Sequence, residues 1–300
     1  MKPLRTRALT ALAVAATLSL SACASSDDVS GKNDAKSSGA IVVGSADFPE
    51  SKLIAEIYSE ALEGAGATVT RQFDIGSREV YMKAVEEGSV AVVPEYSGAL
   101  LTYYDKASTL SESKAVYDAI PGVLPDGLQV LDKSEAEDKD GLAVTKQTAD
   151  SGVKTLEDLK DKNFVLGGQA EFETRTNGVP GLEKTYGVTF ASFESIPTGP
   201  LTEQKLNSGE IQVAVVFTTQ SEIVTNDWVV LDDPKNLFIA QNVVPLIRSD
   251  KLSDKQKSAL NKVSAALTTE DLKQMMKSVT VDKTDVAAEA KKYVEEKKLG

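Results

Sequence analysis

Two similar stretches decide the fold: residues 88–93, with the sequence GSVAVV, and residues 209–216, with the sequence GEIQVAVV. In each, the glycine ends a predicted helix, and a short apolar run follows it. A continuous apolar run bounded by turn residues is typical of a strand that is covered on both faces. We therefore expect one buried strand of this kind in each half of the chain.

The same order of elements surrounds both stretches. In the first half, the pattern predicts a strand at 41–44, a helix at 51–63, a strand at 67–73 and a helix at 77–87. In the second half, it predicts a strand at 163–167, a helix near 181–186, a strand at 188–193 and a helix at 198–207. Alternating strands and helices indicate an α/β fold with parallel sheets.

We interpret the repeated pattern as two lobes that face each other across a ligand cleft. Lobe 1 is expected to comprise residues 40–140 and 245–300, and lobe 2 residues 141–244. Two extended segments, near Asp140–Val144 and at 241–245, are the candidate crossover strands. The segment 254–300 is expected to form helices that pack back on lobe 1. The alternative is two unrelated α/β segments in one compact domain.

Ligands of open α/β sheets bind beyond the carboxyl ends of the strands, so the loops at those ends supply the candidate site. In lobe 1, these loops contain Asp47, Phe48, Ser77, Arg78 and Tyr96. In lobe 2, they contain Arg175, Phe217, Thr218 and Thr219.

The beginning of the chain predicts a bacterial lipoprotein signal. Lys2, Arg5 and Arg7 precede an apolar run, and small residues lead to Cys23, the single cysteine of the chain. We expect cleavage after residue 22, lipid on Cys23, and a disordered, polar tether at 23–39. The protein would then lie on the extracytoplasmic face of a membrane. An ordinary secretory signal is the alternative.

Composition excludes several classes of function. The chain has a net charge of −12, which argues against nucleic acid as a partner. It contains no histidine, which excludes Ser-His-Asp and Cys-His triads and makes a zinc hydrolase implausible. We therefore predict that the protein is not an enzyme and that it has no cofactor and no metal.

At the strand-end loops, the sequence resembles the substrate-binding proteins of ABC importers for glycine betaine, choline, carnitine and related osmoprotectants. The order and spacing of several stretches carry this resemblance, which covers nearly all of residues 41–300. These stretches are residues 41–48 (IVVGSADF), 94–98 (PEYSG), 171–175 (EFETR), 178–187, 217–219 (FTT) and 242–248 (NVVPLIR).

The resemblance implies a two-lobed periplasmic-binding-protein fold of the type II kind, which closes about a hinge. It also implies a quaternary ammonium held in a cage of tyrosines by cation–π attraction. Tyr96 stands at a cage position, and Arg175 stands where the family places an arginine that can meet a carboxylate. The cage is incomplete here. Phe217 stands where some members have tyrosine, and Gln241 stands where members often have another. Asp140 and Gly141 stand where an aromatic is common, and Ser77 and Arg78 replace a common Gly-Thr pair.

The resemblance therefore predicts a solute-binding lipoprotein, monomeric and without catalytic residues, that delivers an osmoprotectant to an ABC permease. A second hypothesis keeps this role but has a different polar or aromatic ligand, recognised by Arg78, Arg175 and Gln241. Two other classes are an extracytoplasmic enzyme, which the absence of histidine and of a Gly-x-Ser-x-Gly motif disfavours, and a lipoprotein adhesin or structural protein.

Overall fold

A computed structural model describes residues 39–196 and 199–300, apart from the side chain of Glu171. The predicted signal peptide, the lipid site at Cys23 and nearly all of the predicted tether lie outside the described residues. None of the described helices combines the length and the apolar character that crossing a bilayer requires.

The first sheet has five strands in the order β2-β1-β3-β10-β4. The strands are β1 (Ile41–Gly44), β2 (Val69–Gln72), β3 (Val92–Tyr96), β4 (Leu128–Val130) and β10 (Val243–Arg248). Alternate residues of β3 enter opposite sides of the core: Val92 packs in one apolar cluster and Val93 in another. The apolar run at 88–93 thus leads into a strand that is buried on both faces, as the sequence predicted.

Helices cover both faces of this sheet. They are α1 (Pro49–Gly64), α2 (Arg78–Glu87), α3 (Ser97–Tyr104), α4 (Ser113–Ala119), α9 (Asp254–Ala266), α10 (Thr269–Thr280) and α11 (Val286–Glu296). The C-terminal helices α9 and α11 pack on α1, and α1 buries Leu53, Ile57 and Leu62 against them and the sheet.

The second sheet has the order β7-β6-β8-β5-β9. Its strands are β5 (Asp140–Val144), β6 (Val165–Gly168), β7 (Ser192–Ser195), β8 (Val213–Phe217) and β9 (Val229–Val230). The helices of this half are α5 (Lys146–Asp150), α6 (Val179–Tyr186), α7 (Pro200–Ser208) and α8 (Ser221–Thr225). Along β8, Val213 and Val215 enter one apolar cluster, and Ala214 and Val216 enter another.

Both sheets are mixed rather than wholly parallel. The chain passes from the first sheet to the second between β4 and β5 and returns between β9 and β10. Each strand that enters from the other sheet pairs antiparallel with the central strand it meets. In these pairs Val243 is opposite Tyr96, and Asp140 is opposite Phe217. The aromatic ends of the two central strands therefore lie beside the two crossover segments.

One predicted strand is displaced. The sequence indicated a strand at 188–193, and the structure has it at Ser192–Ser195. Val188 is fully buried next to Leu182 and Tyr186 at the end of α6, so its apolar side chain belongs to the helix packing. The strand β7 lies at the edge of the sheet, and because three of its four residues are polar, it carries little apolar signal.

Candidate ligand-binding site

A cavity of about 310 Å³ lies where the aromatic ends of β3 and β8 approach the crossover segments. Five residues predicted from the sequence contribute to its wall: Phe48, Tyr96, Arg175, Phe217 and Gln241. They come from both sheets and from the segment that leads into β10. The remaining wall includes Asp138, Lys139 and Asp140 from the other crossover segment, and Phe238 and Ile239.

Aromatic rings from both sheets face this cavity. Phe48 precedes α1 and stacks on Tyr96, with ring centroids 6.2 Å apart and an angle of 30° between the planes. Phe217 is the last residue of β8 in the second sheet. Phe48 and Phe217 are 39% and 41% exposed, whereas Tyr96 is buried. Two large apolar side chains are thus left accessible at the cavity.

Charged groups of both signs share the same wall. Lys139 Nζ lies 3.1 Å from Glu137 Oε2. Burial raises the pKa of Asp140 above its usual range, and the positive charge of Arg175 opposes this increase in pKa. The guanidinium of Arg175 makes no hydrogen bond among the described residues. The cavity can therefore accept a ligand with an anionic group, a cationic group or both.

Asp138 is held by the loop after β8. The hydroxyl of Thr219 donates to Asp138 Oδ1 at 2.8 Å, and the Thr219 amide donates to the same oxygen at 3.3 Å. Burial raises the pKa of Asp138, and the neighbouring charge of Asp140 adds to this effect, while the Thr219 hydrogen bonds oppose it. Thr219 itself does not line the cavity, but it fixes a carboxylate that does.

A second carboxyl group lies beneath the aromatic wall. Glu50, in the first turn of α1, is 4% exposed and accepts a hydrogen bond from the Tyr96 hydroxyl at 2.5 Å. Its other oxygen, Oε2, has no hydrogen-bond partner among the described residues. Burial and the charge of Asp138 raise the pKa of Glu50 to about 8, although the hydrogen bond from the Tyr96 hydroxyl opposes this increase.

Gln241 lines the cavity and also forms a hydrogen bond with the backbone of α3. Its Oε1 accepts a hydrogen bond from the backbone N–H of Ala99 at 2.9 Å, in the first turn of α3. This approach requires Gly98, because a Cβ there would lie 2.6 Å from the carbonyl oxygen of Ala240. The glycine thus lets the segment before β10 lie directly against the start of α3.

The other predicted site residues do not line the cavity. Asp47 is exposed beside Phe48. The hydroxyl of Ser77 donates to Glu79 at 2.7 Å. Thr218 donates to the carbonyl of Glu137 at 2.9 Å and accepts from the amide of Lys139 at 3.0 Å, and so fastens the crossover segment.

Arg78 is engaged with a buried carboxylate. Its Nε and Nη2 donate to the two oxygens of Glu95 at 3.1 and 3.2 Å, and Tyr81 donates to Glu95 Oε1 at 2.5 Å. Burial alone would lower the pKa of the Arg78 guanidinium. The charge and hydrogen bonds of the Glu95 carboxylate have the larger effect and raise this pKa above its usual range. Glu95 Oε2 also accepts from the amide of Tyr96 at 3.0 Å, so this pair supports the residue next to the cavity.

The fold and the cavity between its two halves define the class of two-lobed α/β solute-binding proteins. The family model for the substrate binding domain of ABC-type glycine betaine transport systems matches residues 39–296, and the chain belongs to this family. The protein is therefore a substrate-binding component of an ABC transport system, with a small-molecule ligand and a transporter as partners. The predicted family, fold class and transport role are confirmed.

Two curated relatives extend this assignment. The chain is 22% identical to the glycine betaine-binding protein YehZ of Escherichia coli K12 over 277 residues, which cover 86% of this chain and 90% of that protein. It is 25% identical to the ergothioneine transport permease/ergothioneine binding protein EgtU of Helicobacter pylori G27 over 266 residues. That alignment covers 85% of this chain and 47% of EgtU, so the chain spans about half the length of this relative.

Solved structures support the fold. A glycine betaine/carnitine/choline ABC transporter structure matches with a TM-score of 0.82 and 20% identity, covering 86% of this chain and 99% of that chain. Ligand-free YehZ matches with a TM-score of 0.79 and 22% identity, covering 88% of this chain and 100% of that one.

Proposed function

We propose that this protein captures a small solute with a positively charged head, of the glycine betaine and choline class, outside the cytoplasm. It then delivers this solute to the permease of an ABC importer. The observation that carries the proposal is the cavity, whose wall combines aromatic rings from both sheets with carboxylates and the guanidinium of Arg175. The family assignment and the relative YehZ support the same class of ligand.

The aromatic residues suit an ammonium group. Phe48 and Tyr96 form a stacked pair of rings in the first half of the fold, and Phe217 adds a ring from the second sheet. The negative face of an aromatic ring attracts a cation, and the attraction is stronger where water is excluded. The carboxylates of Asp138 and Asp140 supply further negative charge on the same wall. A carboxylate at the other end of a zwitterion would be met by Arg175.

Binding in this cavity favours a closed arrangement of the lobes. A ligand that contacts Tyr96 and Phe217 together interacts with both sheets only when the two halves are close. Such a ligand shifts the population toward the closed form by its difference in affinity for the two forms. The permease would recognise the closed form, which couples delivery to the presence of cargo.

A second candidate ligand is a betaine that also carries a polar ring. Asp138, Lys139, Asp140 and Gln241 make the cavity more polar than a cage of aromatic rings alone. A ring nitrogen or a similar donor would find carboxylate acceptors there. The relative EgtU is an ergothioneine binding protein, and ergothioneine combines a quaternary ammonium, a carboxylate and a heterocycle.

Isothermal titration calorimetry of the protein with glycine betaine, choline, carnitine, proline betaine and ergothioneine tests the proposal. We expect saturable heat with at least one of them. Tight binding of ergothioneine together with no heat from the others would select the second candidate. No heat from any of the five would overturn the assignment of a quaternary ammonium ligand.

We also propose that Cys23 carries lipid and anchors a monomeric protein at the extracytoplasmic membrane face. The basic and apolar residues that precede Cys23 support this proposal. Stable anchoring needs more than one acyl chain, which a lipoprotein cysteine can carry. We expect the full chain expressed in a bacterium to partition into detergent, and Cys23→Ser to partition into the aqueous phase. Equal partitioning of both would contradict the anchor.

A further inference from the structure

Two carboxyl groups lie near Tyr96: Asp138 lines the cavity, and Glu50 is buried behind the wall. Glu50 belongs to α1 in the first half of the fold, and Asp138 belongs to the segment that crosses from β4 to β5. Glu50 is 4% exposed, and one of its oxygens lacks any hydrogen-bond partner among the described residues. Tyr96 donates to the other Glu50 oxygen, and Tyr96 and Asp138 both line the cavity.

The charged groups around the pair are already engaged elsewhere. Lys139 lies against Glu137, and Arg78 is bonded to Glu95 on the strand that carries Tyr96. Arg175 faces Asp140 across the wall and opposes the rise in the pKa of that carboxyl. Thr219 gives Asp138 neutral hydrogen bonds only. Among the described residues, no lysine or arginine forms an ion pair with Glu50 or Asp138.

Two neighbouring buried carboxyls without a cation do not both ionise at neutral pH, because each charge raises the cost of the other. Burial and the charge of Asp138 raise the pKa of Glu50 to about 8, and burial raises the pKa of Asp138 above its usual range. Both shifts favour the retention of one proton by the ligand-free pair at neutral pH. The unpartnered Glu50 Oε2 is the atom with room for it.

We propose that Glu50 and Asp138 share one proton in the empty protein, and that the cationic head of the ligand takes the place of this proton. The inference rests on the proposed function and specifies how the site recognises its ligand class. The cation binds against Tyr96 and Asp138, and the proton leaves Glu50 for solvent. The pair changes from one negative charge to two, and the ligand head restores the net charge of the buried site.

This exchange makes the pair a determinant of specificity. A cation compensates the second negative charge, so the pair ionises fully only when a cation is bound. A neutral solute gains nothing from the exchange, and an anion is repelled by Asp138 and Asp140. We therefore expect the site to select ligands with a positive head over neutral or purely anionic solutes of similar size.

The number of protons released on binding tests the inference. Calorimetric titration with glycine betaine and choline at pH 7, in phosphate and in Tris, gives that number from the difference in buffer ionisation enthalpy. Neither ligand titrates near pH 7, so any exchanged proton belongs to the protein. We expect the release of nearly one proton per bound ligand, and an affinity that rises by up to tenfold per pH unit between pH 6 and pH 8.

Glu50→Gln and Glu56→Gln form a matched pair of variants. Both glutamates lie on α1 and are 4% exposed, but Glu56 accepts from Arg71 at 2.6 Å and does not line the cavity. We expect Glu50→Gln to bind ligand with no proton release and with an affinity that no longer depends on pH. Glu56→Gln should release the same number of protons as the native protein.

A measurement on the native protein supports the test without any variant. The infrared band of a protonated carboxylic acid should be present in the ligand-free protein and lost when the ligand binds. Binding without proton release, or a release that persists in Glu50→Gln, overturns the proton exchange but leaves the transport role standing. No binding of any of the five solutes overturns the proposed function and the exchange together.

Discussion

Phe217 ends a strand whose other residues are buried, yet 41% of its own surface is accessible. The opposed Asp140 belongs to the strand that enters from the other half. We expect Phe217→Ala to weaken binding of the cationic ligand about tenfold, the size of one desolvated cation–π contact. Val281→Ala is the control, since Val281 is 46% exposed but lies outside the cavity wall. Equal affinities of the two variants in calorimetry would exclude Phe217 from the site.

The role of Arg78 in the structure differs from the role predicted from the sequence. The sequence placed it in the cleft as a ligand group, and in the structure its guanidinium forms a two-bond pair with the fully buried Glu95. Removing one partner of such a pair leaves an uncompensated buried charge. The chain could not reveal this partner, because Glu95 lies 17 positions away on another element.

We therefore expect Arg78→Thr to lower the free energy of unfolding by about 3 kcal/mol, measured by urea denaturation. This value is at the low end of the range for removing one partner of a buried ion pair, because 26% of the Arg78 side chain is exposed. The double variant Arg78→Thr with Glu95→Gln should regain part of the loss. If the single variant keeps its stability but loses ligand affinity, Arg78 is a ligand group as the sequence predicted.

The site was predictable from the sequence where its residues end strands. Phe48, Tyr96 and Arg175 follow predicted strands, Phe217 ends one, and all four reach the cavity wall. Asp138 and Lys139 were missed because the crossover segment has no periodicity that marks it. Glu50 was missed because a glutamate in the first turn of a helix is common there, where it favours the helix dipole. Only the burial of its carboxyl makes it unusual.

The order of strands and helices in the sequence did not predict the mixed sheets, which arise from the two crossover segments. The pattern of strands and helices gave the buried central strands and the helices that cover them. It did not give the direction of β5 and β10, because direction depends on which sheet the chain has just left. These two strands make both sheets mixed, and they place Asp138, Lys139, Asp140 and Gln241 beside the aromatic strand ends.

Thr218 holds the crossover segment between β4 and β5 by hydrogen bonds, and we expect its removal to make the cavity wall less ordered. Its hydroxyl bridges the carbonyl of Glu137 and the amide of Lys139. Thr218→Val keeps the shape of the side chain but leaves both backbone groups without this partner. We expect a loss of about 1–3 kcal/mol in unfolding free energy and a weaker affinity for the ligand. Thr225→Val is the control, since the Thr225 hydroxyl donates to the carbonyl of Ser221 within α8, away from the crossover segment. Native affinity in Thr218→Val would show that the segment is held by other contacts.

The acid pair also links the stability of the entire fold to pH. Burial and the charge of Asp138 raise the pKa of Glu50 to about 8, whereas an unfolded glutamate titrates near 4.3. The folded state therefore binds more protons than the unfolded state between these values. The stabilisation is complete below the unfolded pKa and is lost as the pH rises through the folded pKa.

From pH 7 to pH 9, we expect Glu50 to cost the native protein about 1.4 kcal/mol of unfolding free energy relative to Glu50→Gln. Comparison with this variant removes the contribution of every other group that titrates in the same interval. Urea denaturation at the two pH values measures the difference.

Saturating ligand should abolish this difference, because the bound cation has already displaced the proton and the pair no longer titrates in this range. A native protein and a Glu50→Gln variant that respond identically to pH without ligand would show that Glu50 does not titrate between pH 7 and pH 9 in the empty protein, which contradicts a folded pKa near 8.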